Sequence, residues 1–297
     1  MTWLGHSTAV LDLDGVRLVT DSLLRRHAGL LRRRGGRPDQ ELWRAADAVL
    51  LSHLHHDHAE LSSLRMLGPI PVLTAPSGAR WLVDRGLHGV GLRDGRWFPV
   101  APSVPDDEGA VWADGAADDG AADDGVADEG VPDDGVQVRL CRAVHGHRPM
   151  PHRPNAANGH LVRGPSGCVW VAGDTSLYPA MWHLPELAGA PVDVALVPVH
   201  GWGPRLSGGH LGPVDAARAC AIVRARVAIP VHWGTLHAPA SRRLPPGWMD
   251  RAGDAFAAAL AREAPGCRAV VLQPGERWSA GKHGTDPWPR QPLDGSS

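Results

Sequence analysis

The chain has 297 residues, 43% of them hydrophobic, enough for one large domain or two small ones with a sizeable core. Its formal net charge of -2 gives no argument for nucleic acid or an anionic membrane as a partner. No apolar run approaches the ~18 residues that a membrane-crossing helix needs, and the start (Met1-Thr2-Trp3-Leu4-Gly5-His6) lacks the basic and apolar regions of a secretory signal.

In chain order, residues 9–13 and 16–20 read as strands flanking Asp14-Gly15, a dipeptide that favours a tight hairpin. Residues 25–37 hold six arginines and the pair Gly35-Gly36. A solvated loop is the expectation there, with a patch for an anionic substrate or partner as the alternative. Residues 48–51 form a buried strand, 59–67 a short helix, 71–75 a strand, and 77–85 a helix capped by Ser77 and stopped by Gly86. Short apolar strands alternating with amphipathic helices predict an α/β architecture.

Residues 103–135 break the pattern with units such as Asp118-Asp119-Gly120 and Asp133-Asp134-Gly135, holding 12 acidic residues and no Lys or Arg. Such a segment buries too little apolar surface to offset its ordering entropy, so a disordered acidic insert is predicted. The Gly-Gly-x-Gly-x-Asp pattern of repeated calcium-binding loops is absent from it. Outside the insert, 20 acidic residues face 30 basic ones, a mild bias toward an anionic small-molecule substrate.

Strands are predicted next at 136–144, 168–172, 193–199 and 227–230, with an Ala-rich helix at 213–225. A last helix over 246–264 and a strand over 269–272 precede a polar, proline-containing tail at 279–297, predicted to be disordered. The cysteines Cys141, Cys168, Cys220 and Cys267 are widely spaced within or beside apolar segments. They read as free thiols in a reducing compartment, which makes the cytoplasm the expected location. The sequence carries no signal for oligomeric state.

The strand at 48–51 runs into Ser52-His53-Leu54-His55-His56-Asp57-His58-Ala59. The order His-x-His-x-Asp-His delivers imidazoles and a carboxylate to one place, the usual ligands of zinc and similar divalent ions. Three more strand-like runs end in a ligand type, at His145, Asp174 and His232. Chemistry in α/β folds sits on loops at one end of a sheet, so these ligands are expected to share a cleft.

The same residues carry a family likeness. The chain resembles metallo-β-lactamase-fold hydrolases, in the branch of N-acylphosphatidylethanolamine-hydrolysing phospholipase D and the ascorbate-6-phosphate lactonases. The landmarks are Trp3-Leu4-Gly5-His6-Ser7-Thr8, Thr20-Asp21, the His53 to His58 motif and Gly173-Asp174-Thr175, followed by the Val192 to Pro198 run, His210-Leu211-Gly212-Pro213 and Pro230-Val231-His232-Trp233-Gly234-Thr235. The resemblance implies a four-layer αββα sandwich, one domain over residues 1–278.

It further implies two divalent metal ions, zinc in the first place, with manganese or iron as alternatives. His53, His55 and His145 would hold one ion, and Asp57, His58 and His232 the other, with Asp174 bridging. His147 is a weaker candidate than His145. His210 matches a histidine that lies near the site without binding metal, and Asp21 would orient a ligating imidazole from behind. His200, where relatives tend to have a small residue, reads as a packing histidine, and His56 and His237 as surface residues. The activity implied is hydrolysis of a phosphodiester or of a lactone or ester by hydroxide, with Asp57 accepting the water's proton and His210 protonating the leaving oxygen. A mononuclear-iron oxidoreductase and a non-catalytic metal- or partner-binding protein are the alternatives.

Overall fold

The computed structural model describes residues 1–102, 135–146 and 152–280. The predicted acidic insert before Gly135, His147, and the tail beyond Ala280 lie outside these residues. The first half of the chain runs β1 (Thr2–Gly5), β2 (Thr8–Leu13), β3 (Val16–Thr20), β4 (His27–Ala28), β5 (Leu31–Arg33), β6 (Ala48–Leu50), α1 (Leu61–Met66), β7 (Val72–Thr74), α2 (Pro76–Val83), β8 (Gly89–Gly91) and β9 (Phe98–Val100). The second runs β10 (Val136–Arg142), β11 (Asn158–Gly164), β12 (Gly167–Val171), α3 (Leu184–Ala188), β13 (Val194–Pro198), α4 (Pro213–Ile222), β14 (Val227–Val231), β15 (Leu236–His237), α5 (Ala252–Glu263) and β16 (Arg268–Ala269).

A sheet in the order β1-β2-β3-β6-β7-β8 packs against a second in the order β16-β14-β13-β12-β11-β10-β9. The two-residue period of a strand explains the layering. Ala9, Leu11, Leu18, Ala48, Leu50 and Leu73 share a core with Val138, Leu140, Leu161 and Trp170 of the second sheet. Their neighbours Val49, Leu51 and Val72 pack instead with Leu64 of α1 and with Trp81 and Leu82 of α2. β13 and β14 are apolar throughout, because the second sheet is covered on both faces, with α4 and α5 outside it. The outcome is the αββα sandwich, an α/β fold of four layers.

Strand direction positions the site. β1 and β3 both pair antiparallel with β2, so they point the same way, and β3, β6, β7 and β8 are parallel. In the second sheet β10 and β12 flank β11 antiparallel, and β12, β13, β14 and β16 are parallel. Co-directional strands therefore release the chain at one edge, just before His6, Asp21, His53, His145, Asp174, His200 and His232.

Several sequence expectations are corrected. Ser77 does not cap its helix: Ala75 is the cap residue and Pro76 opens α2, where its missing N–H costs nothing. The last helix starts at Ala252, since the left-handed Gly247 (φ 71°) keeps the preceding residues in turns. The expected strand at 269–272 shrinks to Arg268–Ala269. The basic stretch is not simply a solvated loop, because β4 and β5 pair with β15 in a small third sheet. Within it Arg33 is buried, donating to the carbonyls of Leu23 (3.1 Å), Gly36 (3.1 Å) and Leu4. Burial lowers its guanidinium to about 10, still cationic at neutral pH. His237 is likewise buried in β15, where its Nδ1–H donates to Ala238 O at 2.8 Å.

Gly173 turns the chain from β12 into Asp174 at φ 61°, and a Cβ there would lie 2.8 Å from both Asn158 O and Ser52 Cβ. Gly173→Ala is expected to cost about 1–3 kcal/mol from backbone strain and the forced contact. Chemical denaturation of the two proteins measures this directly.

Candidate metal centre

The strand ends bring every ligand predicted from the sequence into one cluster, buried except for the half-buried His55 and His145. Potential ligand atoms of His53, His55 and His145 lie within 4.8 Å of one another, and so do those of His6, Asp57, His58 and His232. Asp174 falls between the sets, grouping with His53 and His58 on one side and with His145 and His210 on the other.

Hydrogen bonds at the rims fix which imidazole nitrogens face inward. His232 Nδ1–H donates to His200 O (3.0 Å), His145 Nδ1–H to Gly209 O (2.9 Å) and His58 Nδ1–H to Asp21 Oδ2 (2.8 Å). Ser52 Oγ gives its proton to Asp21 Oδ2 (2.8 Å) and accepts from His53 Nδ1–H (2.9 Å). Each of these rings spends its proton outward and turns the lone pair of Nε2 into the pocket.

Those lone pairs meet other acceptors. His58 Nε2 lies 3.2 Å from both His232 Nε2 and Asp174 Oδ2, and His232 Nε2 lies 3.3 Å from Asp174 Oδ1. His55 Nδ1 is 2.9 Å from His53 Nε2 and 3.1 Å from His145 Nε2, while its buried Nε2 has no partner. Asp21, Asp57 and Asp174 are all buried, and the ionic partners of Asp57 and Asp174 among the described residues are histidines alone. Lone pairs and carboxylates converging without a Lys or Arg require positive charge to offset their desolvation. The donor set therefore fits divalent cations held by imidazole and carboxylate.

The electrostatics agree. Burial opposes a charge on His58, yet Asp174, Asp21 and Asp57 outweigh it and hold this imidazole well above its ordinary value, so that a proton on its Nε2 answers the carboxylates where a cation would otherwise take up that lone pair. Burial lowers His53 well below that value and takes His55 to about 4, with His58 adding to both effects. Asp57 and Asp174 stay ionised against the cost of burial, because His58 and His232 hold their carboxyls well below the usual range.

A family model described as the beta-lactamase superfamily domain matches residues 16–233, from the start of β3 to the residue after His232. The chain belongs to this superfamily. It is a metal-dependent hydrolase with the metallo-β-lactamase fold. A UPF0173 metal-dependent hydrolase of Nitratidesulfovibrio vulgaris (strain DP4) is 31% identical over 93% of this chain and 93% of its own. N-acyl-phosphatidylethanolamine-hydrolyzing phospholipase D 1 of Caenorhabditis elegans is 26% identical over 79% of this chain, and the match spans 63% of that protein's length. In fold, the chain is similar to Igni18, a metallo hydrolase of Ignicoccus hospitalis, with TM-score 0.61, 20% identity and coverage of 93% and 95%.

In this metallo-β-lactamase-fold hydrolase, His210 also reaches the pocket, with Nε2 3.3 Å from Asp174 Oδ2. His200 is half-buried, its ring 5.8 Å from that of Trp248, and His56 is exposed and accepts from Arg153 Nη2 at 3.0 Å. Sequence reasoning missed two residues. His6 is fully buried and its Nε2–H donates to Asp57 Oδ2 at 3.0 Å; burial and the neighbouring His232 push it to about 3, so it is neutral. Ser52 bridges His53 and Asp21, and so ties the outer hydrogen bonds of both ligand sets together. His6 stands within the Trp3 to Thr8 landmark, but a lone histidine in a turn announces no role.

Because Ser52 fixes the His53 tautomer and anchors Asp21, Ser52→Ala is expected to weaken metal binding by about 10–100-fold with the fold intact. Competitive metal titration beside circular dichroism checks both halves of that statement.

Proposed function

We propose that this chain hydrolyses a phosphodiester, or a lactone or ester, at a centre of two divalent metal ions. The observation that carries the reading is the pair of inward-facing ligand sets meeting at Asp174. His53, His55 and His145 would hold one ion, Asp57, His58 and His232 the other, and Asp174 would bridge. A single ion, as in an iron oxidoreductase, would leave one set of buried lone pairs and carboxylates uncompensated. Zinc suits these ligands best, with manganese or iron as alternatives. When bound, such ions supply Lewis acidity and lower the pKa of a water toward ~7.

The chain's own residues complete the reaction. Asp57 accepts the proton of the attacking water, and His6, neutral and donating through Nε2, fixes the orientation of that carboxylate. The water oxygen bonds to phosphorus or to the carbonyl carbon as the bond to the leaving oxygen breaks. His210 gives that oxygen its proton. Its Nδ1–H is directed at the carbonyls of Ser207 and Gly208 (both 3.2 Å), and Asp174 faces Nε2, so both nitrogens meet acceptors, as an imidazolium requires. Burial opposes the charge on His210, but Asp174 raises its pKa above the ordinary value.

The relative from Caenorhabditis elegans hydrolyses a phospholipid by name, which supports the phosphodiester arm. An anionic small molecule fits the basic balance of the chain outside the acidic segment. Among the described residues no helix is long and apolar enough to cross a membrane, and all four thiols are free. The thiols fit a reducing, cytoplasmic setting. We further propose that residues 1–278 act as one domain, with the acidic segment as an insert in it.

His210→Ala is expected to lower kcat by about 10²–10⁴-fold while KM changes little, as for loss of a general acid. Kinetics on a chromogenic phosphodiester beside a lactone panel read this, and an unchanged kcat would remove His210 from the reaction. Mass spectrometry of the native protein is expected to find two metal ions per chain, and Asp174→Ala to lose both metal and turnover. One ion in a fully active protein would end the dinuclear reading.

A further inference from the structure

We infer that a second binding site, for a small organic phosphate, lies in the arginine-lined cleft outside the metal centre. The cleft has a volume of about 420 Å³ and is lined by Arg34, Arg37, Met249, Asp250 and Pro274 among others. A neighbouring hollow of about 280 Å³ shares Arg34, Met249 and Asp250 and adds Arg242 and Arg243. None of these residues belongs to the ligand sets at the metal centre. The volume is that of a small-ligand site, too small for a nucleic-acid or protein surface.

The charge in the cleft is unbalanced. Asp250 is paired with Arg34, and Asp39 is engaged as a helix cap, its Oδ1 accepting from Glu41 N. Arg37, Arg242 and Arg243 are exposed and have no hydrogen-bonding or ionic partner among the described residues. Arg37 borders the larger hollow and Arg242 and Arg243 the smaller one beside it, and unpartnered guanidinium groups on both favour a dianion, whose phosphate geometry the planar guanidinium fork matches. Leu42, Met249 and Pro274 offer an apolar wall for the organic part.

The cleft is also built, not merely crowded with charge. Buried Arg33 fastens the arginine-bearing loop through Gly36 O (3.1 Å) and Leu23 O (3.1 Å), and Arg34 N donates to Thr235 O at 2.6 Å. Trp233 and Gly234, which follow His232 in the chain, also line the cleft. A ligand seated there would press on the segment that carries a metal ligand.

Calorimetric titration of the metal-loaded full chain with phenylphosphonate tests the assignment. The expected result is a saturable event that survives His210→Ala and weakens at least about tenfold in Arg37→Gln and in Arg242→Gln/Arg243→Gln. Arg80→Gln, on α2 at the far side of the first sheet, serves as the charge control and should leave the affinity unchanged. Equal affinity across wild type and the cleft variants overturns the site. So does equal weakening in Arg80→Gln, which would reduce the effect to net charge.

Discussion

Charge burial governs this molecule. Asp21, Asp57 and Asp174 are nearly inaccessible to water, and so are the imidazoles of His6, His58 and His232. Desolvated carboxylates destabilise a fold unless a cation or a set of donors answers them. Donors from Ser52 N, the Ser52 hydroxyl and His58 answer Asp21. Asp174 Oδ1, by contrast, accepts no hydrogen bond from the chain. Acceptors outnumber the donors on the inner face of the pocket, and positive charge completes it. Stability and chemistry are therefore tied, because a cation that served hydrolysis there would also offset the desolvation of the buried carboxylates.

The topology explains how so many acceptors come together without a continuous ligand segment. Each sheet combines an antiparallel meander with a parallel run, and two chain reversals within each meander leave β1 with β3, and β10 with β12, pointing one way. The parallel strands add β6, β13 and β14 in the same sense within their sheets. A core between the sheets fixes the two ligand-bearing edges relative to each other, since the residues that fill it alternate with those facing α1 and α2. Ligand spacing is thus set by side-chain packing rather than by loop length.

That logic also decides what the sequence could reveal. A strand ending in His-x-His-x-Asp-His is a local signal, and the strands before His145, Asp174 and His232 are short apolar runs that stand out against turns. β11 was not legible: Asn158–Gly164 contains Gly159, His160 and Arg163, polar or flexible residues that pair only because β10 and β12 flank them. β4, β5 and β15 failed for a similar reason, being two or three residues long and held by a partner from the far end of the chain. His6 and Ser52 were invisible as functional residues because their roles are relations, to Asp57 and to Asp21, across 51 and 31 positions of sequence. His237 was misplaced on the surface because a histidine after Leu236 shows no sign of the strand that covers it.

The turn from Leu54 to Ala59 illustrates the same dependence at the heart of the site. It supplies His55, Asp57 and His58, so its shape must be held to a fraction of an ångström for two ligand sets to close. Its own bonds, from His58 N and Ala59 N to His55 O, define only a tight bend. The remaining constraint comes from Arg153, whose Nη1 donates to Leu54 O (2.5 Å) and Ala59 O (3.2 Å), spanning the two ends of the turn. Arg153 in turn lies over the Trp81 ring at 4.8 Å, and Trp81 Nε1–H donates to His152 O at 2.6 Å. One guanidinium thus links α2, the segment before β11 and the ligand-bearing turn. A lysine could not reproduce that geometry, because it lacks the planar group whose Nη1 holds two carbonyls while Nη2 reaches His56 and the face lies over a ring. The ligand order was written locally in the chain, but the rigidity that makes it a metal site was written about a hundred residues away.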